Sequence, residues 1–139
     1  MKKFILIITL ISVGVFANAQ AVQTVPKAVQ EKFDSLFPNA TAVKWEKKGV
    51  DYQASFTSGI NSMKALFAKN GIFIQKVLYI SVEALPQATK TYIVTHYPGK
   101  KVSSASKVTK MGGTMVYKVI VGGKEITFDS GGNFMPAKK

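Results

Sequence analysis

The 139-residue chain carries 19 lysines, no arginine, 7 acidic residues and no cysteine, for a formal charge of +12. Disulfide and thiol chemistry are therefore excluded, and stability has to come from apolar packing. The absent guanidinium is also the group on which bidentate base reading leans, so nucleic acid is not an expected partner.

Lys2 and Lys3 precede an apolar run from Phe4 to Phe16, followed by small residues at Ala17 and Ala19. A basic start, an apolar stretch and small residues together predict a secretory signal peptide over residues 1–19, cut between Ala19 and Gln20. A spanning helix needs roughly 20 apolar residues, and this run is shorter; no cysteine follows it to take a lipid. The mature chain, residues 20–139, is expected to be periplasmic or secreted, with no transmembrane segment. It loses Lys2 and Lys3 and keeps a charge of +10. Its length suits one domain that buries about two thirds of its unfolded surface.

The next stretch, VPKAVQEKFDSLFP (Val25 to Pro38), returns as LPQATKTYIVTHYP (Leu85 to Pro98). In the first copy Val29, Phe33, Leu36 and Phe37 fall on one stripe of a helix; in the second Leu85, Ala88, Tyr92, Ile93 and Tyr97 do so. Pro26 and Pro86 suit a helix start, whereas Pro38 and Pro98 stop the helix by pushing the preceding residue toward extended geometry. Two short amphipathic helices result.

Behind the first helix, Val43 and Trp45, then Val50, Tyr52, Ala54 and Phe56, alternate with polar residues, the period of a sheet with one wet face. Breaks at Lys48-Gly49, Ser58-Gly59 and Asn70-Gly71 mark hairpins, giving a four-stranded meander from Thr41 to Val82. The second half repeats this scheme: Met115, Tyr117, Val119 and Val121 alternate, and Gly112-Gly113, Gly122-Gly123 and Gly131-Gly132 break the strands. FDSGGNF (Phe128 to Phe134) echoes FAKNGIF (Phe67 to Phe73), and the last strand is a stub ending near Met135 and Pro136.

The chain is thus an internal repeat, residues 25–82 and 85–136, each a helix followed by an antiparallel β-meander. The predicted fold is α+β, a seven- to eight-stranded antiparallel sheet with both helices on one face. One unit of about 60 residues has a marginal core, so the two are expected to share one. The opposite face would carry Lys44, Glu46, Gln53, Ser55, Lys118 and Ile120 outward, as the broadest candidate binding surface. Trp45 is expected to be a central buried anchor, with Tyr52 and Tyr117 in equivalent core positions.

The order aliphatic-Pro, short helix, aromatic-Pro, AVKWE, a Tyr-containing strand, a glycine turn and then LP…YPG resembles the PepSY-like, β-lactamase-inhibitor-like family of small exported proteins. The resemblance spans Val25 to about Phe134. It implies a tandem fold similar to β-lactamase inhibitory protein, whose curved sheet presents a concave surface to a partner enzyme, and it implies no catalytic residues. That inhibitor uses disulfides, which cannot form here, and none of its contact residues can be matched by position.

Candidate chemistry is sparse. His96, the only histidine, takes the place of Leu36 on the apolar side of the second helix, where an imidazole more often packs than catalyses. One histidine and no cysteine do not make a zinc site, and Asp129 reads as a turn residue, lacking the spaced oxygen ligands of a calcium loop. No G-x-S-x-G elbow or glycine-rich phosphate loop occurs, and no cofactor is expected. Three functions follow: a non-enzymatic binding module for a protein or peptide of the cell envelope, working through the open sheet face or a strand edge and possible as an inhibitor of an envelope enzyme; a basic protein binding anionic surfaces such as lipopolysaccharide or phospholipid; or a cryptic hydrolase using His96.

Overall fold

Prolines set the limits of both helices in the computed structural model, which describes residues 24–137. The signal peptide expected over residues 1–19, with its cut at Ala19-Gln20, lies outside the described residues. Helix α1 (Lys27–Leu36) starts directly after Pro26 and α2 (Gln87–His96) directly after Pro86, both prolines at φ −55°. Each thus stands at the cap, one residue ahead of the first turn. The Phe37 N–H donates to the Phe33 carbonyl and the Tyr97 N–H to that of Ile93, closing each helix before the next proline.

The buried residues are Val29 and Phe33 on α1, and Thr89 and Ile93 on α2. Two positions of the predicted stripes are corrected: Leu36 is 42% exposed, and Ala88 is exposed while Thr89 is buried. Thr89 holds the place of Val29 in the repeat. A hydroxyl is tolerated there because it donates to the Gly132 carbonyl at 3.0 Å, leaving no unpaired polar group.

Strands β1 (Ala40–Lys48), β2 (Asp51–Ser58), β3 (Asn61–Phe67), β4 (Phe73–Ile80), β5 (Val102–Lys110), β6 (Met115–Val121), β7 (Lys124–Phe128) and β8 (Phe134–Met135) form one eight-stranded sheet in chain order. Every pair is antiparallel. A 3₁₀ turn at Val82–Ala84 and α2 carry the chain from β4 to β5, so each half reads helix, then four strands. One register row runs Phe56, Met63, Leu78, Lys107, Tyr117, Phe128, Phe134 across the sheet. It starts in the core under α1 and ends in the core under α2, so both helices cover the same face.

The expectation of one shared core is corrected. Val25, Val29, Phe33, Ala54, Phe56, Ala65 and Phe67 make one buried cluster; Leu85, Ile93, Ala105, Val119, Val121, Ile126 and Phe128 make another. The reason lies on the helix side of the central strands, where Lys76 pairs with Thr109 and Leu78 with Lys107. Charged and polar side chains there interrupt the apolar rows, and each helix closes its own half. Tyr52 packs on the first cluster and Tyr117 on the second.

Trp45 is also corrected: it is half-buried on an edge strand, its ring edge-on to Phe33 at 5.2 Å. Ahead of it the register slips between Thr41 and Lys44, with Ala42 at φ 52°. This bulge leaves Val43 37% exposed, off the alternation its spacing from Trp45 suggested.

The last hairpin of each half leans on the first turn of that half's helix. A Cβ on Gly71 would lie 2.8 Å from the Ala28 carbonyl oxygen, and one on Gly132 would lie 2.6 Å from Pro86 Cβ. Both glycines have positive φ, 91° and 87°. Gly59 has positive φ with open space around it. Gly59→Ala should therefore cost only the left-handed backbone penalty, about 1–2 kcal/mol, and Gly71→Ala clearly more, because α1 must also shift. Urea unfolding of the two variants checks the order; equal losses would contradict the packing of this turn on α1.

Candidate functional site

The sheet face opposite the helices is assembled by register. One row runs Lys44, Ser55, Lys64, Val77, Val108, Val116 across six strands. Beside it run Glu46, Gln53, Leu66, Gln75, Lys110 on one flank, and Tyr79, Ser106, Lys118, Thr127 on the other. Ser104, Ile120 and Glu125 form a further short row. All six residues expected on the outward face, Lys44, Glu46, Gln53, Ser55, Lys118 and Ile120, lie on it, but in two groups separated by β3, β4 and β5.

Between those groups the face is hollow. Val108 is 2% exposed and Val116 and Ser106 are each 7% exposed, although both helices pack on the other side. Side chains on an uncovered face become buried only where neighbours of that same face close over them, as in an inward bend. A cavity of about 230 Å³ sits here, lined by Gln75, Tyr79, Ser104, Ser106, Lys118 and Ile120 among others. Lys118 and Ile120 thus belong to the hollow, whereas Lys44, Glu46, Gln53 and Ser55 lie outside it. Sequence reasoning missed Gln75, Tyr79 and Ser106. Their outward direction is readable from alternation within each strand, but their meeting depends on the β4–β5 register.

The hollow is amphipathic. Valines form its floor, serines and Gln75 supply hydrogen-bonding groups, and charges stand at its rim. Lys118 Nζ donates to Glu125 Oε1 at 3.0 Å, and Lys64 Nζ lies 5.8 Å from the centre of the Tyr79 ring. Such exposed pairs are worth about 0–1 kcal/mol, so these groups remain available to a partner. A second cavity of about 320 Å³ lies by Tyr97, Ile126 and Phe134, where β8 pairs only with Thr127 and Phe128.

His96 is corrected from the apolar side of α2 to an exposed position. Its ring stacks on Tyr92 at 4.0 Å, and Nδ1 lies 3.0 Å from the Tyr92 carbonyl oxygen, one turn back. Among the described residues no three His, Cys, Asp or Glu side chains converge as metal ligands. Asp129 serves the β7–β8 turn: its Oδ1 accepts from the N–H groups of Gly131 and Asn133, both at 2.9 Å. The β3–β4 turn closes with the same backbone bonds, Ala68 N–H to Ile72 O and Gly71 N–H to Ala68 O, and with Asn70 Oδ1 accepting from Ile72 N–H.

Comparison with known proteins agrees with this layout. A sequence profile described as "Putative beta-lactamase-inhibitor-like, PepSY-like" matches residues 17–75 and 51–136. A BLIP-like protein from Bacteroides fragilis is 26% identical with a TM-score of 0.72, over 87% of this chain and 90% of its own. Two others share the fold at lower identity. One, from Bacteroides eggerthii, is described as a "putative periplasmic" protein and is 17% identical with a TM-score of 0.74, over 81% of this chain and 86% of its own. The other is a DUF2874 family protein from Bacteroides uniformis, 21% identical with a TM-score of 0.74, over 81% of this chain and 88% of its own. No curated protein matches. No described helix is long and apolar enough to cross a membrane.

The Asp129 turn carries a pH dependence. The Asn133 backbone N–H, aided by the Asn133 side-chain amide and the backbone N–H groups of Gly131 and Gly132, holds the carboxyl below its ordinary 3.8, against a smaller opposing effect of desolvation. A carboxylate whose folded value is depressed stabilises the fold above the ordinary value and loses that contribution as pH falls through the folded one. The protection factor of the Asn133 amide, its exchange relative to the intrinsic rate at the same pH, should accordingly be full above 3.8 and fall as pH drops below that value. An Asn133 amide indifferent to this interval would show that the carboxylate does not hold the turn.

Proposed function

The chain belongs to the PepSY-like, beta-lactamase-inhibitor-like family, and on that premise we propose that residues 20–139 act as an exported, non-enzymatic module that holds a protein or peptide of the cell envelope against the hollow outward face. One observation carries this reading: a continuous sheet face, with an apolar floor of Val77 and Val108 and a polar rim, has no element over it among the described residues. An apolar centre with a hydrogen-bonding, charged rim is the anatomy of protein interfaces. The BLIP-like name of the Bacteroides fragilis relative gives this reading a form, in which the bound protein is an enzyme and binding inhibits it. Export rests on the N-terminal pattern of Lys2, Lys3 and the apolar run.

The other readings have less support. Lysines stand on both faces and outside the strands: Lys64 and Lys118 outward, Lys76 and Lys107 on the helix side, Lys27 and Lys90 on the helices. Such scatter does not make either broad face a single-sign surface for lipopolysaccharide or phospholipid. A hydrolase built on His96 would start from a ring stacked on Tyr92, with one nitrogen already beside a carbonyl of its own helix.

Affinity capture from envelope extract of the producing bacterium tests the reading. The wild-type protein should retain a defined protein, and the pair Lys118→Glu with Ile120→Glu should cut its retention about tenfold or more, since one change puts a charge into an apolar contact and the other reverses a charge at the rim. Val94→Glu, on the exposed side of α2, should leave retention unchanged. Equal retention by all three, or loss only with Val94→Glu, would refute an outward-face site.

A further inference from the structure

Of the four turns that strand direction gathers at one end of the sheet, three stand in a row: β1–β2, β3–β4 and β5–β6. Each displays an exposed apolar side chain at its tip: Val50 is 74% exposed, Ile72 48% and Met111 64%. Each also holds an exposed lysine within three residues of that side chain, Lys48, Lys69 and Lys110. Alternate turns are two strands apart, about 10 Å, and the register sets them close to one level: Tyr52 pairs with Phe67, Phe67 with Phe73, and the Met111 N–H donates to the Ile74 carbonyl. Acids stand at this end too: Glu46 pairs with Lys48 at 3.2 Å, Asp51 follows Val50, and Asp129 lies in the next turn along.

The remaining turns differ. The β7–β8 turn, at the same end, is Asp129 to Asn133 with no apolar tip, and the β2–β3 turn, at the opposite end, exposes Ile60 fully without a neighbouring lysine. Lone exposed apolar residues need no explanation. Three in a row, each beside a lysine, form an edge with apolar points in a cationic frame.

We propose that this edge docks the protein on an anionic phospholipid bilayer, with Val50, Ile72 and Met111 entering the headgroup and acyl boundary and Lys48, Lys69 and Lys110 meeting lipid phosphates. Shallow apolar insertion and lysine attraction to anionic headgroups strengthen one another. Met111 and Lys110 also border a hollow of about 340 Å³ with Leu36, Phe37 and Phe73, but Val50 and Ile72 are not among its lining, so that hollow does not account for the row. Docked by its turns, the sheet stands on the membrane edge-on and its hollow outward face stays open to the side. The inference is tested apart from the outward-face reading, since Val50, Ile72 and Met111 do not line the hollow and only Lys110 belongs both to this edge and to an outward-face row.

The test is co-sedimentation of the mature protein with phosphatidylglycerol–phosphatidylethanolamine vesicles and with phosphatidylcholine vesicles. Binding is expected to the anionic vesicles, weaker in high salt, and the triple change Val50→Ser, Ile72→Ser, Met111→Ser should reduce it by about tenfold or more. Ile60→Ser is the matched control from the opposite end and should bind like wild type. No sedimentation with anionic vesicles, or an equal loss in Ile60→Ser, overturns the proposal. So does tighter retention by lipopolysaccharide than by phosphatidylglycerol, or a vesicle-free dimer that the triple change dissolves, since either assigns the tips another partner. Because the triple change leaves Lys118 and Ile120 untouched, capture through the outward face is scored separately.

Discussion

The structure depends on the seam between β4 and β5, where six residue pairs from Gln75–Lys110 to Ile80–Ala105 join the two halves into one sheet. Each half alone is about the size at which a single core becomes marginal. Since the two buried clusters are separate, the halves support one another by sheet continuity and not by a common interior. Backbone hydrogen bonds of roughly 0.5–1.5 kcal/mol net apiece make such a ladder a substantial link even where the side chains above it are polar.

This division of labour explains why the outward face is free. Each helix is spent on its own half: Phe33 meets Trp45, Phe56 and Phe67, and Tyr92 meets Phe128 and Phe134. Among the described residues no helix remains for the back of the sheet, so Val108 and Val116 are buried there by neighbours of the same face. A hollow with an apolar floor follows directly from a sheet that buries valines on a side it does not cover.

Much of this was legible in the sequence because proline and glycine act locally. Pro26, Pro38, Pro86 and Pro98 bound the helices, and the glycines at 49, 59, 71, 112 and 113, 122 and 123, and 132 mark every hairpin. The split core was not legible, because β4 carries apolar residues on both faces, as Val77, Leu78, Tyr79 and Ile80 do, and its partner strand lies beyond a helix. Periodicity alone turns Ala88 inward and not Thr89, because it does not see the Gly132 carbonyl that accepts the Thr89 hydroxyl. The hollow itself arises from pairing across the seam, which no local pattern encodes. The bulge at Ala42, without glycine or proline, gave no signal either.

The separateness of the two cores is best tested by a double-mutant cycle. Phe33→Leu opens space in the first cluster and Ile93→Val in the second, each mild enough to leave the protein folded. The account predicts that their unfolding free energies add to within about 0.5 kcal/mol, as they do for distant sites without shared partners. A coupling energy well above that, about 1 kcal/mol or more, would mean the halves share an interior after all.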